Sequence, residues 1–388
     1  MRVSTAILAA CAAVALLAAP VGAQGQNLPQ QGPPAQDIPI VLLVDMSSGQ
    51  TLFAREENRR FVPASITKVM TAFTAFELME EGVLTPDQVF TFNEAAAEEW
   101  YRTGSTMFLE AGQEVSVSDL LMAITTVSAN DGSIVLAEGA LGSVPEWVAR
   151  MNANARSLNL QNSFFGTPNG WPDAGRTFTT ARDLVTLGQA LVLRHPDRFA
   201  RYFGHRGLRT NGYAQDNHDP ISGIVEGADG IKTGFTNQAG FGFLGTAKRG
   251  DRRLMMVLAG AGEEPERDAA ARALVEWGFS AFDSTQLFAG GARVGSVRVQ
   301  DGSSSTVPVL ASAPILFAVP KGEQASLSLA ITYDGPLQAP IAAGETVARL
   351  EISVEGMASS SVPLVAAQDV PQAGFLDRIG NAFGRLLP

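Results

Sequence analysis

Pro63-Ala64-Ser65-Ile66-Thr67-Lys68-Val69-Met70-Thr71-Ala72 is the stretch on which the fold turns. Apolar residues at Ile66, Val69, Met70, Phe73 and Phe76 recur at helical spacing, so a helix opens here with Ser65 at its start. Residues three apart share a helix face, which brings Lys68 within one turn of the Ser65 hydroxyl. A Ser three places before a Lys arises by chance about once in a chain of this length, so the pair decides nothing alone. Two strings downstream change its weight: Ser128-Ala129-Asn130 and Lys232-Thr233-Gly234. By itself the first is a polar helix cap before Asp131, and the second is a turn. Only four of the 28 basic residues are lysines (Lys68, Lys232, Lys248 and Lys321), and two of the four stand in these strings. A lysine amine can shed its proton and act as a base, which a guanidinium cannot.

The surroundings give an α+β pattern. Residues 38–45 form an apolar strand, 47–50 a turn, and 51–54 a returning strand. Helical spacing then covers 117–127, 131–139, 144–158 and 180–193. Strand-type runs follow at 240–246 and 252–260, and a helix at 267–282. Strands at both ends of this region predict one shared sheet, within a domain spanning 38–285. From about residue 290 short β runs alternate with Gly, Pro and Ser turns, which predicts a small all-β sandwich domain over 286–368. In the last segment, 369–388, Phe375, Leu376, Ile379, Phe383, Leu386 and Leu387 fall on one helical face. Asp377, Arg378, Asn381 and Arg385 fall on the other. This predicts an amphipathic helix lying in a membrane surface, the alternative being a helix docked on its own protein.

The 388 residues suffice for two domains with a sizeable core. A net charge of −11 argues against a nucleic-acid partner, because phosphate binding needs a basic face. Residues 1–23 have the form of a secretory leader: Arg2, an apolar run from Ala6 to Ala19, and Val21-Gly22-Ala23 as the cleavage site. Residues 24–37, rich in Gln, Pro and Gly, are an expected disordered linker. Leu8-Ala9-Ala10-Cys11 resembles a lipoprotein box but stands too early in the apolar run. Cleavage after Ala23 removes Cys11, the single cysteine, and with it any disulfide, thiol nucleophile or Cys-held metal.

A serine hydroxyl needs a base within hydrogen-bond reach. The three histidines, His195, His205 and His218, stand in no G-x-S-x-G elbow, which leaves a Ser-His-Asp triad unsupported. Lys68 is the alternative base, provided that burial and a second cation such as Lys232 keep it neutral. The three strings, in this order, are the signature of serine acyl-transfer enzymes that act on penicillin-like substrates. Together with Gly104-Ser105-Thr106-Met107-Phe108-Leu109 and Asp229-Gly230-Ile231, they make the chain resemble the low-molecular-mass penicillin-binding proteins, specifically serine-type D-alanyl-D-alanine carboxypeptidases.

The resemblance implies a penicillin-binding/β-lactamase-like transpeptidase domain, followed by the β domain and the terminal helix. It implies Ser65 as nucleophile, Lys68 as base, Ser128 as proton relay and Asn130 as holder of the substrate amide. Lys232, Thr233 and Gly234 then border the substrate carboxylate, and the backbone N–H groups of Ser65 and Phe235 form the oxyanion hole. Arg267, ten residues before Trp277, matches a family arginine that contacts that carboxylate, its alternative being a solvated helix residue. Implied ligands are the peptidoglycan stem peptide and β-lactam antibiotics, without cofactor or metal, on the periplasmic side of an inner membrane. The loop 216–221 departs from the family pattern, which leaves side-chain preference open. A class A β-lactamase would need a Glu where Thr167-Pro168-Asn169-Gly170-Trp171 offers none. The sequence also admits an endopeptidase on the same fold, or a non-catalytic wall scaffold.

Overall fold

The computed structural model describes residues 2–6 and 33–374, apart from Gln324 and Gly356. Two compact units emerge. One holds Pro33–Val44 and Leu52–Phe279; the other takes in Asp45–Thr51 and the described residues of 280–374.

The first unit is built on a five-stranded sheet. Its strands are β1 (Ile40–Asp45), β2 (Gln50–Arg55), β3 (Ala228–Thr236), β4 (Gly240–Arg249) and β5 (Arg252–Ala261), in the order β2-β1-β5-β4-β3. The expectation that both ends of this region share one sheet therefore holds. Every residue of β1 is buried, as the apolar run Ile40–Val44 requires of an interior strand. β3 lies at the sheet edge and pairs antiparallel with β4, Lys232 opposite Leu244 and Thr233 opposite Phe243.

The helices are α1 (Lys68–Glu80), α2 (Glu94–Trp100), α3 (Val117–Thr126), α4 (Asn130–Leu141), α5 (Val144–Ser157), α6 (Ala181–Arg194), α7 (Pro196–Tyr202) and α8 (Glu264–Ser280). α1 is buried nearly all round, with Val69, Met70, Phe73 and Phe76 fully enclosed. A helix apolar on every side belongs in the middle of a domain. Ser116, Ser143 and Thr180 cap α3, α5 and α6 by accepting hydrogen bonds from the third N–H beyond. The helix expected to open at Ser65 instead begins with a 3-10 turn, Ala64–Thr67, and becomes α-helical at Lys68.

The second unit is all-β. Its strands are β6 (Phe282–Phe288), β7 (Arg293–Gln300), β8 (Thr306–Ala311), β9 (Ile315–Pro320), β10 (Leu327–Asp334), β11 (Thr346–Val354) and β12 (Ser360–Ala366). One sheet runs β10-β11-β12-β8-β7, extended by Arg2–Ala6 beside β10 and by Leu337–Gln338 beside β7, and β6 pairs with β9. Val307, Val309, Leu350, Ile352 and Leu364 centre its core. Gln50 belongs here because its side chain exchanges two hydrogen bonds with the backbone of Ala318, at 2.9 and 2.6 Å. Arg2–Ala6 runs antiparallel to β10, within the stretch expected to be a leader. The expected cleavage point after Ala23 and the expected amphipathic helix from Phe375 lie outside the described residues. Among the described residues no helix is long and apolar enough to cross a membrane.

Candidate active site

The site forms where the 3-10 turn meets the edge strand β3. Ala64 adopts φ +49°, a left-handed conformation that costs about 1–2 kcal/mol for a residue with a Cβ. The turn is wedged between two glycines. A Cβ on Gly234 would stand 2.5 Å from Pro63 O and 3.1 Å from Ile66 N, so only glycine lets β3 approach the turn this closely. A Cβ on Gly170 would stand 1.9 Å from Ala64 O.

Lys68, fully buried, has three partners. Its Nζ lies 3.0 Å from Ser65 Oγ, 2.8 Å from Asn130 Oδ1 and 2.6 Å from the Asn169 carbonyl. Burial holds its pKa well below the ordinary amine range. The charge of Lys232 pushes the same way, and the carboxylate of Asp131 opposes both. Asn130 is oriented in turn by donating its Nδ2 to the Thr103 carbonyl at 3.0 Å, while its backbone N–H donates to the Ser105 carbonyl at 2.8 Å. Ser128 sits just ahead of α4 at φ +63°.

Asp131 accepts from the N–H groups of Met107, Leu109 and Gly132, pinning the 103–109 segment to the start of α4. Burial raises the pKa of its carboxyl, and these backbone bonds oppose the shift. Asp131 was not among the residues the sequence singled out for the site. Neither was Asn169, whose contribution is a backbone carbonyl, nor Glu264.

On the other wall Lys232 is buried, its Nζ donating to the Thr233 carbonyl at 3.2 Å. Its pKa falls to about 7, chiefly through burial and then through the charge of Arg267, against the pull of Asp219. Arg267 is 1% exposed, so it is no solvated helix residue. Its Nε donates to Asp268 at 2.6 Å and its Nη2 to Glu264 at 2.9 Å, with weaker bonds to the His218 and Gly242 carbonyls. Phe235, half exposed, stacks on Phe241 at 4.2 Å between centroids.

Between the walls lies a cavity of about 230 Å³, lined among others by Ser65, Ser105, Ser128, Thr233, Gly234 and Arg267. Ser65, Ser128, Thr233, Gly234, Phe235 and Arg267 thus meet on one cleft, with Lys68, Asn130 and Lys232 buried. His218 also lines the cleft, but its ring nitrogen Nδ1 faces Glu264 at 3.4 Å. His195 is engaged with Glu77, on the C-terminal part of α1. Among the described residues no cluster of His, Cys, Asp and Glu fits a metal ion.

Comparison with known proteins agrees with this geometry. Residues 30–263 match the model of the D-alanyl-D-alanine carboxypeptidase family, and residues 282–372 match that of the C-terminal domain of penicillin-binding protein 5. The D-alanyl-D-alanine carboxypeptidase DacD of Salmonella typhimurium is 32% identical, over 90% of this chain and 91% of its own. Penicillin-binding protein 5 of Haemophilus influenzae superposes with a TM-score of 0.72 at 29% identity, covering 88% of this chain and all of its own. The ampicillin-bound penicillin-binding protein D2 of Listeria monocytogenes matches 64% of this chain and all of its own, at 26% identity and a TM-score of 0.57. The chain belongs to the D-alanyl-D-alanine carboxypeptidase family of serine peptidases and carries that family's penicillin-binding protein 5 type of C-terminal domain.

Proposed function

We propose that this chain removes the terminal D-alanine from peptidoglycan stem pentapeptides through an acyl-enzyme on Ser65, and that β-lactams acylate the same hydroxyl. One observation carries the assignment of roles: the three partners of Lys68 Nζ. Asn130 Oδ1 and the Asn169 carbonyl can only accept hydrogens, whereas the Ser65 hydroxyl can also donate. A neutral amine has two N–H bonds for the two carbonyls and one lone pair for the serine proton. Burial favours this neutral form.

Lys68 takes the proton as Ser65 Oγ attacks the carbonyl carbon of the penultimate residue. The tetrahedral oxyanion is received by the N–H groups of Ser65 and Phe235, donors aimed where charge develops. Ser128 passes the proton to the departing D-alanine nitrogen as the C–N bond breaks, and Asn130 holds the substrate amide. Lys232, Thr233 and Arg267 face the substrate's free carboxylate. Water then gives its proton to Lys68, attacks the ester and frees Ser65.

Exposure to benzylpenicillin should raise the intact mass by one adduct that maps to Ser65, and Ser65→Ala should abolish both the adduct and D-alanine release. Rapid turnover of the penicillin would instead make the chain a β-lactamase. Folded protein that takes no label and releases no D-alanine would be a scaffold.

The same reading assigns 1–23 as an export leader, the segment after it as a tether, the unit that ends at Phe279 as the catalytic domain, and the all-β unit, which begins at Ser280 rather than at the expected 286, as the β domain. The helix expected over 369–388, shortened at its start because Val370 and Gln372 stand in β-bridges with Ile341 and Gly302, then holds the enzyme to the periplasmic face of the inner membrane. Its six large apolar side chains support that role, each contributing at most about 1.5–3 kcal/mol when buried. Deleting residues 375–388 should release the protein from membranes while activity on a soluble peptide persists; loss of folding would make the helix structural.

A further inference from the structure

Arg102 stands out among the arginines of this acidic chain because three aromatic rings surround its guanidinium. Arg150, Arg198, Arg249 and Arg253 each hold a carboxylate. Among the described residues, none pairs with Arg102. Its Nη2 donates to the Tyr213 hydroxyl at 3.1 Å, and its guanidinium carbon lies 5.3, 5.6 and 5.7 Å from the ring centroids of Tyr101, Phe108 and Tyr213. Phe108 and Tyr213 stack on each other at 4.0 Å. Glu110 accepts from the Tyr101 hydroxyl at 3.3 Å, not from Arg102. The guanidinium is therefore exposed, charged and held by rings before any ligand arrives. An anion that binds it loses little side-chain entropy in doing so.

This cation belongs to the catalytic wall. Thr103, the next residue, and Ser105 supply the carbonyls that hold Asn130, and Ser105 lines the cavity with Ser65. Three residues of chain reach at most about 10 Å, so Arg102 lies within a few side-chain lengths of the cleft. The hairpin in which Gly207–Thr210 pairs antiparallel with Tyr213–Asp216 is tied to the same segment: Gln215 donates to the Thr106 carbonyl at 3.1 Å and Asn211 to that of Met107 at 2.9 Å. Trp171, half exposed, packs its indole against Gly104 between Arg102 and Ser105.

We propose that Arg102, with the rings of Tyr101, Phe108 and Tyr213, is a carboxylate subsite for the part of the peptide that precedes the scissile bond. This rests on the acyl-transfer reading above and adds a substrate class to it. The free end of the peptide goes to Lys232 and Arg267 on the wall of β3 and α8. An anion on the opposite wall must then come from upstream residues. The preferred substrates are peptides with a carboxylate on one of the two residues ahead of D-Ala-D-Ala.

Two N-acetylated tetrapeptides ending in D-Ala-D-Ala test this, one with two glutamates ahead of that pair and one with two glutamines. D-alanine release gives kcat/KM for each, and the ratio of acid to amide is the readout. In the unaltered protein the ratio exceeds one at low salt and shrinks as salt is added. Arg102→Gln lowers the ratio about tenfold. Tyr213→Phe, which removes only the hydroxyl that holds the guanidinium, lowers it in the same direction by less. Arg102→Lys restores part of it, since an amine keeps the charge but not the planar fork. A ratio that Arg102→Gln leaves unmoved, in protein whose Ser65 still takes benzylpenicillin, refutes the subsite and spares the acyl-transfer reading. Absence of both the adduct and D-alanine release in the unaltered protein refutes that reading, and the subsite with it.

Discussion

Gly170→Ala tests how the nucleophile is held. Gly170 has φ +73°, and its added Cβ would meet Ala64 O at 1.9 Å, Ala64 C at 2.5 Å and Thr67 Cβ at 3.0 Å. Carbon and oxygen do not approach below about 3 Å without repulsion, so one side must retreat by more than an ångström. Neither side is idle. Ala64 immediately precedes Ser65, and Asn169, immediately before Gly170, supplies the carbonyl that receives Lys68 at 2.6 Å. The left-handed conformation costs an alanine about 1–2 kcal/mol, and overpacking a closed site costs about 1–3 kcal/mol more. The expected loss of stability is thus about 2–5 kcal/mol. A misplacement of about 1 Å between reacting groups costs on the order of a hundredfold in rate. The assay is the rate of benzylpenicillin acylation by intact mass, with thermal unfolding alongside. Gly142→Ala is the control, because Gly142 also has positive φ (+83°) yet a Cβ there meets nothing within 4 Å. It should lose only the conformational term and acylate normally. If Gly170→Ala acylates within threefold of the unaltered protein, the turn does not depend on that contact and the reasoning fails.

Asn130→Asp places a carboxylate against Lys68 Nζ, which favours the charged amine; the acid limb of the acylation rate should move to higher pH, and an unmoved limb would separate Asn130 from the base. Lys232 is charged below about pH 7 and neutral above it, so KM for a peptide with a free C-terminal carboxylate should rise as pH passes upward through that value. Lys232→Met should remove that dependence. It should also stabilise the fold at pH 6, where the native state carries the whole cost of a buried charge. That advantage should shrink by about 1.4 kcal/mol per pH unit above 7 and vanish near the ordinary lysine value of about 10.4, as denaturant unfolding across pH would read. Asp131→Asn leaves at least one of the Met107, Leu109 and Gly132 N–H groups short of an acceptor and should cost about 1–3 kcal/mol, seen as a lower Tm.

What could be seen in the sequence was local or repeated. The pairing of Ser65 with Lys68 follows from helical spacing, and α1, α3, α5 and α6 from apolar period. The 3-10 form of the turn did not follow, because Gly170 and Gly234, both remote in sequence, shape it. α2 and α7 went unseen because seven residues make two turns, too few for a period to show. β12 was hidden by Ser360, Ser361 and Pro363, which read as a loop. Its pairing with β8 involves only Leu364, Val365 and Ala366, so the proline stands where β8 asks for no N–H. Arg267 was left between a ligand and a solvated residue because α8 starts at Glu264, one turn earlier than its apolar pattern shows. That extra turn carries the Glu264 that holds the guanidinium. Asn169 left no signal at all, since a backbone carbonyl has no residue identity.

The order of causes at Lys68 explains why the site can use two buried amines for different tasks. If Lys232 were the main cause of the lowered Lys68 pKa, an arriving substrate carboxylate would cancel that charge and favour return of the proton to the base when it is needed. Burial is the larger cause, and Lys232 only the second. A peptide that fills the cavity excludes water and deepens the burial. Lys232 responds in the opposite sense, because a carboxylate beside it favours its charged form. Substrate binding thus drives the two lysines apart in charge, one held as a cation for the peptide's free end and one kept as a base for Ser65. This separation needs Lys232 to start near neutrality, and a pKa of about 7 is where it stands.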